Sequence, residues 1–174
     1  MTLHIFSSRI IIALVCGILI GLERQLRQRS AGLTTNALVA VGASIFILIS
    51  ETVIANAVAA GGPVNNDNLR VLAQIVTGMG FLGAGVILRD GFTIHGLNSA
   101  ATLWCSAAVG SMCGYGLWKY AIIAVSVILF INWVLKSVEH YLENHQKDSP
   151  IADPYKKEEQ NGQSNEVPKT PLTK

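Results

Sequence analysis

The chain has 174 residues, of which 51% are hydrophobic and 14% are charged. Ordinary soluble proteins carry about 25% charged residues, so this composition is typical of an integral membrane protein of one domain. The formal net charge of +2 gives little support to nucleic-acid binding.

Five apolar segments follow one another along the chain, and a membrane-spanning helix needs about 20 mostly apolar residues. The first segment ends at the charged pair Glu23-Arg24 without a small-residue cleavage site, so we expect a retained helix. A basic connection, a Gly/Pro/Asn loop and a turn at Lys119 separate later segments. We predict an all-α membrane protein, a five-transmembrane-helix bundle with spans at about residues 3–22, 33–54, 71–88, 99–117 and 120–138.

The apolar pattern stops after about residue 143, and the rest is rich in Lys, Glu, Gln, Asn and Pro. Such a segment cannot bury enough apolar surface to fold alone. We therefore predict a transmembrane domain over residues 1–143 and a disordered tail over residues 144–174. Lysine and arginine are concentrated in the first connection and in the tail, which places the C-terminus in the cytoplasm and the N-terminus outside.

Residues 17–38 resemble residues 83–103. In each segment a helix ends at an adjacent acid and base, a Gly-Leu pair follows, and small polar residues open the next helix. The two helix pairs would have the same orientation, so we predict a parallel repeat of helices 1–2 and 3–4 about the membrane normal. The alternative is that both pairs obey the same membrane packing rules without being a repeat.

The third predicted helix is dense in glycine, and Gly78 to Gly83 match the pattern GxGxxG. A dinucleotide site needs a strand before this pattern, whereas here one apolar segment surrounds it, so we reject that interpretation. Small residues instead let helix backbones approach closely within lipid, and we expect this helix to lie centrally. The predicted packing or partner face comprises Gln74, Gly78, Gly80, Gly83, Gly85, Thr102 and Cys105.

Charged and amide side chains gather near one end of the predicted bundle. Such groups are costly at membrane depth, need partners and often mark a functional site. For the charges, solvated boundary positions are the alternative, and for Asn98 it is plain capping of a helix N-terminus. The predicted functional polar cluster comprises Glu23, Arg24, Arg89, Asp90 and Asn98.

The sequence shows no nucleophile–base pattern and no zinc-type spacing of cysteine and histidine. We therefore predict no enzymatic activity, no metal site and no cofactor. Three cysteines lie in apolar runs and are predicted to be packing residues. His95 is a lone histidine, for which pH sensing is the alternative to a plain structural position.

Two blocks, GLERQLRQRSAGLTTNALVAVGAS and QIVTGMGFLGAGVILRDGFTIHGLNSAATLWCSAAVG, resemble the MgtC/SapB family of bacterial inner-membrane proteins, most closely at GLNSAATLWCSA. The resemblance covers about residues 3–140. It implies a multi-pass protein linked to adaptation to low Mg²⁺ and acid stress, and in pathogens to virulence and survival in macrophages. It also implies restraint of the F-type ATP synthase and binding of a small membrane peptide. The family's functional asparagine falls on Asn98, and its GLER acid falls on Glu23.

Family members of this kind carry a folded cytoplasmic domain after the last span, where we expect only a polar tail. The chain is more similar to shorter members made of the membrane part alone. Any activity that belongs to the cytoplasmic domain is therefore not expected of this chain.

Residues and resemblance together predict a non-enzymatic regulator that binds a membrane-protein partner by helix docking within the bilayer. The alternative is an ion or small-solute transporter gated by the polar cluster, with Thr34, Thr35 and Asn36 as further oxygen donors. Against it, only two acids are expected near the membrane, both at its edge, whereas a dehydrated Mg²⁺ needs several oxygen ligands. A purely structural subunit is a third interpretation, and homo-oligomerisation stays open.

Overall fold

The computed structural model describes residues 2–61, 68–91 and 93–147, with side chains described as far as residue 134 and not at residue 68. Within these ranges the chain forms five helices and one short hairpin. They are α1 (Leu3–Leu26), α2 (Leu33–Ala59), α3 (Asn68–Val86), β1 (Leu88–Asp90), β2 (Thr93–His95), α4 (Leu97–Gly114) and α5 (Trp118–Lys147). The chain divides into a compact unit over residues 1–134 and a second over residues 135–174.

The predicted helical architecture is confirmed. Three of the described helices, α1, α2 and α3, are long and apolar enough to cross a membrane, and the apolar part of α5, Trp118–Val134, is shorter. The five-span count stays a prediction. The helix α5 continues to Lys147, and the rest of the predicted tail, residues 148–174, lies outside the described residues.

A two-stranded antiparallel hairpin joins α3 to α4. Leu88 lies opposite His95 and Asp90 opposite Thr93. Sequence patterning predicted only a polar hinge here, because strands of three residues are too short to show an alternation. Gly96 then turns the chain into α4 with φ of 89°, and an added Cβ there would collide with the carbonyl oxygen of Val86.

The helix α2 occupies the centre of the bundle, in contact with α1, α3 and α4. On the α1 side, the approach depends on two glycines. A Cβ at Gly17 would lie 2.8 Å from the Cα of Ala37, and a Cβ at Gly21 would lie 2.6 Å from the Cα of Leu33. Real Cβ atoms do not approach so closely, so the backbones of α1 and α2 touch only because these residues are glycine.

The contact between α2 and α4 is built in the same way. Gly110 lies against the backbone of Ala40, where an added Cβ would overlap the carbonyl group. A Cβ at Gly114 would lie 2.9 Å from the carbonyl oxygen of Ser44. Both helices that flank α2 therefore present a G-x-x-x-G pair to it, which is a sequence signal for close helix approach.

The helix α3 lies at the edge of the bundle, so the expectation of a central third helix is wrong. A Cβ added at Gly78, Gly80 or Gly85 would meet nothing within 4 Å, and Phe81 is 81% exposed. Gly83 alone among the α3 glycines approaches a described neighbour, an alanine of α4 at 3.6 Å. The reason is spacing, because these glycines are two or three residues apart and spread around the helix.

The helix α5 packs against α1 and α4 through a small apolar cluster. Two buried cysteines with free thiols belong to this cluster, as expected for packing residues. Its buried members are Ala13, Cys16, Ile20, Val109, Cys113, Ala121 and Val125. The opposite face of α5 exposes large side chains such as Phe130 and Trp133, which suits contact with lipid.

Candidate functional site

Arg24 is the centre of the polar site. Its side chain is buried at the end of α1, with 2% of the residue exposed. Nη1 donates to Oδ1 of Asn98 at 2.8 Å, and Nη2 donates to Oγ of Ser99 at 3.1 Å. The guanidinium therefore ties the end of α1 to the first turn of α4, across 74 residues of sequence.

The guanidinium of Arg24 is hydrogen-bonded to uncharged oxygen atoms. In the part of the chain with described side chains, no carboxylate lies within ion-pair distance of it, and its Nε is buried without a hydrogen-bond partner. Taking a charge out of water is costly unless hydrogen bonds replace the lost hydration. The Asn98 and Ser99 contacts are consequently strong constraints on the start of α4.

This contact decides how Asn98 is presented. A guanidinium only donates hydrogen bonds, so the amide must turn its oxygen toward Arg24 and its Nδ2 group away from it. Asn98 itself is exposed. The N-cap of α4 is Gly96, without a side-chain cap hydrogen bond, so the structure does not show the capping role considered for Asn98. An oriented amide donor at the surface of the bundle is the result.

Two further hydrogen bonds extend the network, one into the α1–α2 connection and one within α4. The hydroxyl of Ser30 donates to Oγ of Ser99 at 2.9 Å. Thr102, one turn into α4, donates to the backbone oxygen of Asn98 at 2.8 Å. The loop before α2 and the first turn of α4 are thereby joined through side chains that are small and polar.

Asn36 forms a second buried polar link, which sequence reasoning considered only as an oxygen donor for an ion path. Its Nδ2 donates to the backbone oxygens of Ala31 at 3.1 Å and Gly32 at 2.8 Å. Its Oδ1 accepts from the hydroxyl of Ser106 at 2.8 Å. Asn36 therefore closes the turn before α2 and joins α2 to α4.

Glu23 lies on a different side of α1 from Arg24, because successive helical residues point about 100° apart. Its Oε1 lies 2.6 Å from Nε of Arg27, and its Oε2 accepts from Nδ2 of Asn132 in α5 at 3.3 Å. The acid therefore links α1 to α5, whereas Arg24 links α1 to α4.

The remaining members of the predicted cluster lie on the hairpin. Arg89 and Asp90 are exposed in β1, and Nε of Arg89 donates to the backbone oxygen of Gly91 at 3.0 Å. His95 is exposed in β2. The structure thus brings Arg24 and Asn98 into contact, with Ser99 and Ser30 as partners that the sequence did not single out as a site.

The predicted packing or partner face divides into an internal and an external part. Thr102 is buried inside the bundle and Cys105 is half-buried. On α3, Gly83 is buried against α4. The other α3 members are exposed: Gln74, Gly78, Gly80 and Gly85.

A second ion pair, at the other end of the bundle, was missed from the sequence. Nη1 of Arg9 lies 2.5 Å from Oε2 of Glu51 and 2.8 Å from the backbone oxygen of Gly114. The pair joins α1, α2 and the end of α4. Glu51 is a third acid near the membrane, whereas only two are expected from the sequence. Its position inside an otherwise apolar helix is the sequence feature that indicates it.

Comparison with known proteins adds the family. The model of the MgtC family matches residues 10–141. The chain belongs to the MgtC family. Protein MgtC of Brucella abortus is 50% identical over 131 residues, which are 75% of this chain and 51% of that protein. Protein MgtC of Salmonella typhimurium is also 50% identical over 131 residues, 75% of this chain and 52% of that protein.

An uncharacterized protein of Synechocystis is 47% identical to this MgtC-family chain over 140 residues, 79% of the chain and 55% of that protein. The chain spans about half the length of these relatives. No solved structure gives a significant match. Family membership and apolar helices together identify a membrane protein.

Proposed function

We propose that this MgtC-family chain is a non-enzymatic regulator of the bacterial inner membrane that acts by binding another membrane protein. The observation that carries the proposal is the presentation of Asn98. Asn98 is an exposed residue whose amide oxygen accepts from a buried arginine, so its two N–H donors point away from Arg24 in a defined direction. A preoriented donor at the surface of a helical bundle is suited to recognition by hydrogen bonding.

The partner class follows from family resemblance. An F-type ATP synthase subunit or a small membrane peptide is the proposed partner, in the setting of low Mg²⁺, acid stress and intracellular survival. A helix is the form in which such partners cross the bilayer. The outward face of α3 around Gly80, Phe81 and Ala84 supports this, because small residues and an exposed aromatic ring lie there uncovered by the described helices.

The proposed topology has five spans, an outside N-terminus and a cytoplasmic C-terminus. The helix α4 is polar for a span, but its Ser99, Thr102, Ser106 and Ser111 are buried inside the bundle and away from lipid. The orientation rests on the basic connection after α1. Cysteine-labelling from each side of inverted and right-side-out vesicles tests it, and an N-terminus labelled only from the cytoplasm would contradict it.

The repeat of helix pairs α1–α2 and α3–α4 is likewise proposed. Two observations support it. The helices α2 and α4 both begin directly after a glycine, at Leu33 and Leu97. Gly17 faces a residue four positions into α2, and Gly83 faces a residue three positions into α4. An experimental structure in which the two pairs cannot be superposed would contradict the repeat.

The transport alternative receives no support from the site. Among the described residues, no group of three or more His, Cys, Asp and Glu could hold a metal ion. The buried charge at the candidate site is the cation of Arg24, which repels Mg²⁺ and protons. Flux of either ion into liposomes that contain the pure protein, abolished by Asn98→Ala, would favour transport over partner binding.

Photo-crosslinking in the membrane tests the proposed function. A photoreactive phenylalanine analogue at Phe81 should capture a membrane protein, since this side chain is 81% exposed on α3. The matched control is the same analogue at Phe130, which is 61% exposed on α5. Capture from Phe81, absent from Phe130 and lost in an Asn98→Asp background, supports docking. Equal capture at both positions, or none at Phe81, contradicts it.

A further inference from the structure

A groove of about 720 Å³ runs between α2 and α3. Apolar side chains form most of its lining, with Leu38 and Leu82 at one end. At the other end the lining includes Arg70 and, one helical turn along, Gln74. The groove is open at its side, so a molecule bound in it also contacts the surroundings of α2 and α3.

Two glycines keep the groove empty of protein. Gly42 of α2 and Gly78 of α3 both line it, and a Cβ added at either would meet nothing within 4 Å. Elsewhere in the bundle glycines bring two backbones together, as at Gly17 and Gly110. At Gly42 and Gly78 the missing side chains leave space instead.

We propose that this groove binds one acyl chain of an anionic phospholipid, whose phosphate lies against Arg70 and Gln74. The proposal requires α2 and α3 to cross the bilayer, and it does not depend on any protein partner. It therefore goes beyond the proposed regulatory function. The lipid belongs to the leaflet at the end of α3 where Arg70 lies.

The length of the groove suits a lipid tail. Arg70 and Leu82 are separated by about 18 Å along α3, at roughly 1.5 Å per residue. One leaflet of the hydrocarbon core is about 15 Å deep, so an extended acyl chain matches the length of the groove.

The charge favours an anionic head group. Arg70 is an exposed residue and Gln74 adds an amide donor, and an arginine guanidinium pairs strongly with phosphate oxygens. A second groove, between α3 and α4, has about 420 Å³ and a lining without a charged side chain. The smaller groove provides an internal contrast, because it offers room for a tail but no partner for a phosphate.

Native mass spectrometry of the full chain, released from micelles with added phosphatidylglycerol, tests the tail site. Gly78→Leu and, independently, Gly42→Leu should remove the most strongly held lipid, since each fills the groove from a position with free space. Gly80→Leu is the matched control, because it also has free space and lines neither groove. Circular dichroism and a monodisperse elution profile establish that each variant is folded.

Competition between phosphatidylglycerol and phosphatidylcholine of the same acyl chains tests the head-group site. We expect the native chain to prefer phosphatidylglycerol by about fivefold, from one basic residue at the membrane surface. Arg70→Gln should abolish this preference while total lipid binding persists. Lys119→Gln, which removes a basic residue in the first turn of α5, should leave the preference intact.

Three outcomes overturn the proposal. One is a native chain without preference between the two lipids. Another is lipid retention in both folded leucine variants equal to that of Gly80→Leu. The third is a dimer that both variants abolish, which would assign the groove to a second copy of the chain. Crosslinking from Phe81 reports on a different face of α3. Failure of that crosslinking does not contradict the lipid site, and its success does not support the lipid site.

Discussion

At the scale of single residues, one buried arginine determines how a surface amide is displayed. Arg24 donates to Asn98 and Ser99 from its two terminal nitrogens, and the planar guanidinium makes both contacts at once. Removal of the arginine would break both of these hydrogen bonds between α1 and the start of α4. Orientation of Asn98 and stability of the α1–α4 contact are therefore coupled.

Asn98→Asp separates these two roles. A carboxylate still accepts from Arg24, and it adds an opposite charge beside a buried cation, so we expect stability in detergent to be unchanged or raised. The two N–H donors of the Asn98 amide are lost, so partner capture should fall. Thermal unfolding and crosslinking from Phe81 measure the two effects. Asn56→Asp, an exposed amide near the other end of α2, should change neither. Loss of folding in Asn98→Asp would contradict this assignment.

Arg24→Lys should destabilise the bundle by about 1–3 kcal/mol, because a shorter, compact ammonium cannot reach both oxygens at once and the buried cation loses a hydrogen bond. Arg29→Lys is the matched control, since Arg29 is exposed at the same end of the bundle. Steric-trapping or denaturant unfolding in micelles gives the free-energy difference. Equal stability of the two variants would show that the Arg24 contacts carry little energy.

At the scale of helices, glycine spacing determines which backbones touch. Gly17 and Gly21 in α1, and Gly110 and Gly114 in α4, are four residues apart and lie on one face. Both pairs lie against the backbone of α2. The α3 glycines outnumber either pair, but they do not repeat at intervals of four and leave α3 at the edge of the bundle.

Alanine substitution makes this difference measurable. Gly110→Ala drives a methyl group into the backbone of Ala40, and we expect a loss of about 1–3 kcal/mol from overpacking. Gly80→Ala meets nothing, so the higher helix propensity of alanine should leave stability unchanged or raise it by up to about 1 kcal/mol. Unfolding of both variants in the same micelles checks the order. A reversed order would show that α3 is packed more tightly than its contacts imply.

At the scale of the whole bundle, polar contacts lie at both ends of the packed α1–α2–α4 group. Arg24 joins α1 to α4 at one end, and Arg9 joins α1 to Glu51 of α2 and to the end of α4 at the other. Between them lie glycine-mediated contacts and small apolar clusters. The helix α3, by contrast, is flanked by two grooves and held by fewer close contacts. The tightly packed helices α1, α2 and α4 are suited to act as a scaffold, and the loosely packed helix α3 is suited to provide a binding face.

Glu51→Gln should be more costly than Arg27→Gln. Arg9 and Glu51 connect three helices and lie partly buried, so loss of the opposite charge should cost about 1–3 kcal/mol. Glu23 and Arg27 pair within one helix, where such pairs contribute about 0.2–0.5 kcal/mol. Thermal unfolding of both variants, with the exchange Arg9→Glu plus Glu51→Arg as a partial rescue, tests this. Equal losses of stability would show that the two ion pairs contribute equally to folding.

The extent of each helix was predictable from sequence to within a few residues at most ends, because apolar length and turn residues are local properties. The G-x-x-x-G pairs are also visible in the sequence of α1 and α4. The high glycine content of α3 instead led to the wrong prediction that α3 is the central helix. The hairpin before α4 was not predictable, because its strands have three residues each. Family membership was readable from two blocks of sequence.

What the sequence by itself determined is therefore a set of apolar helices, the polar residues at their ends, and the family. The tertiary structure alone decided which polar residues meet. Glu23 and Arg24 are adjacent in the chain, but one faces α5 and the other faces α4. Rotation of about 100° per residue gives neighbours different surroundings, and those surroundings depend on which helix packs opposite. Helix formation depends on local sequence, whereas the pairing of Arg24 with Asn98 exists only once the helices are assembled.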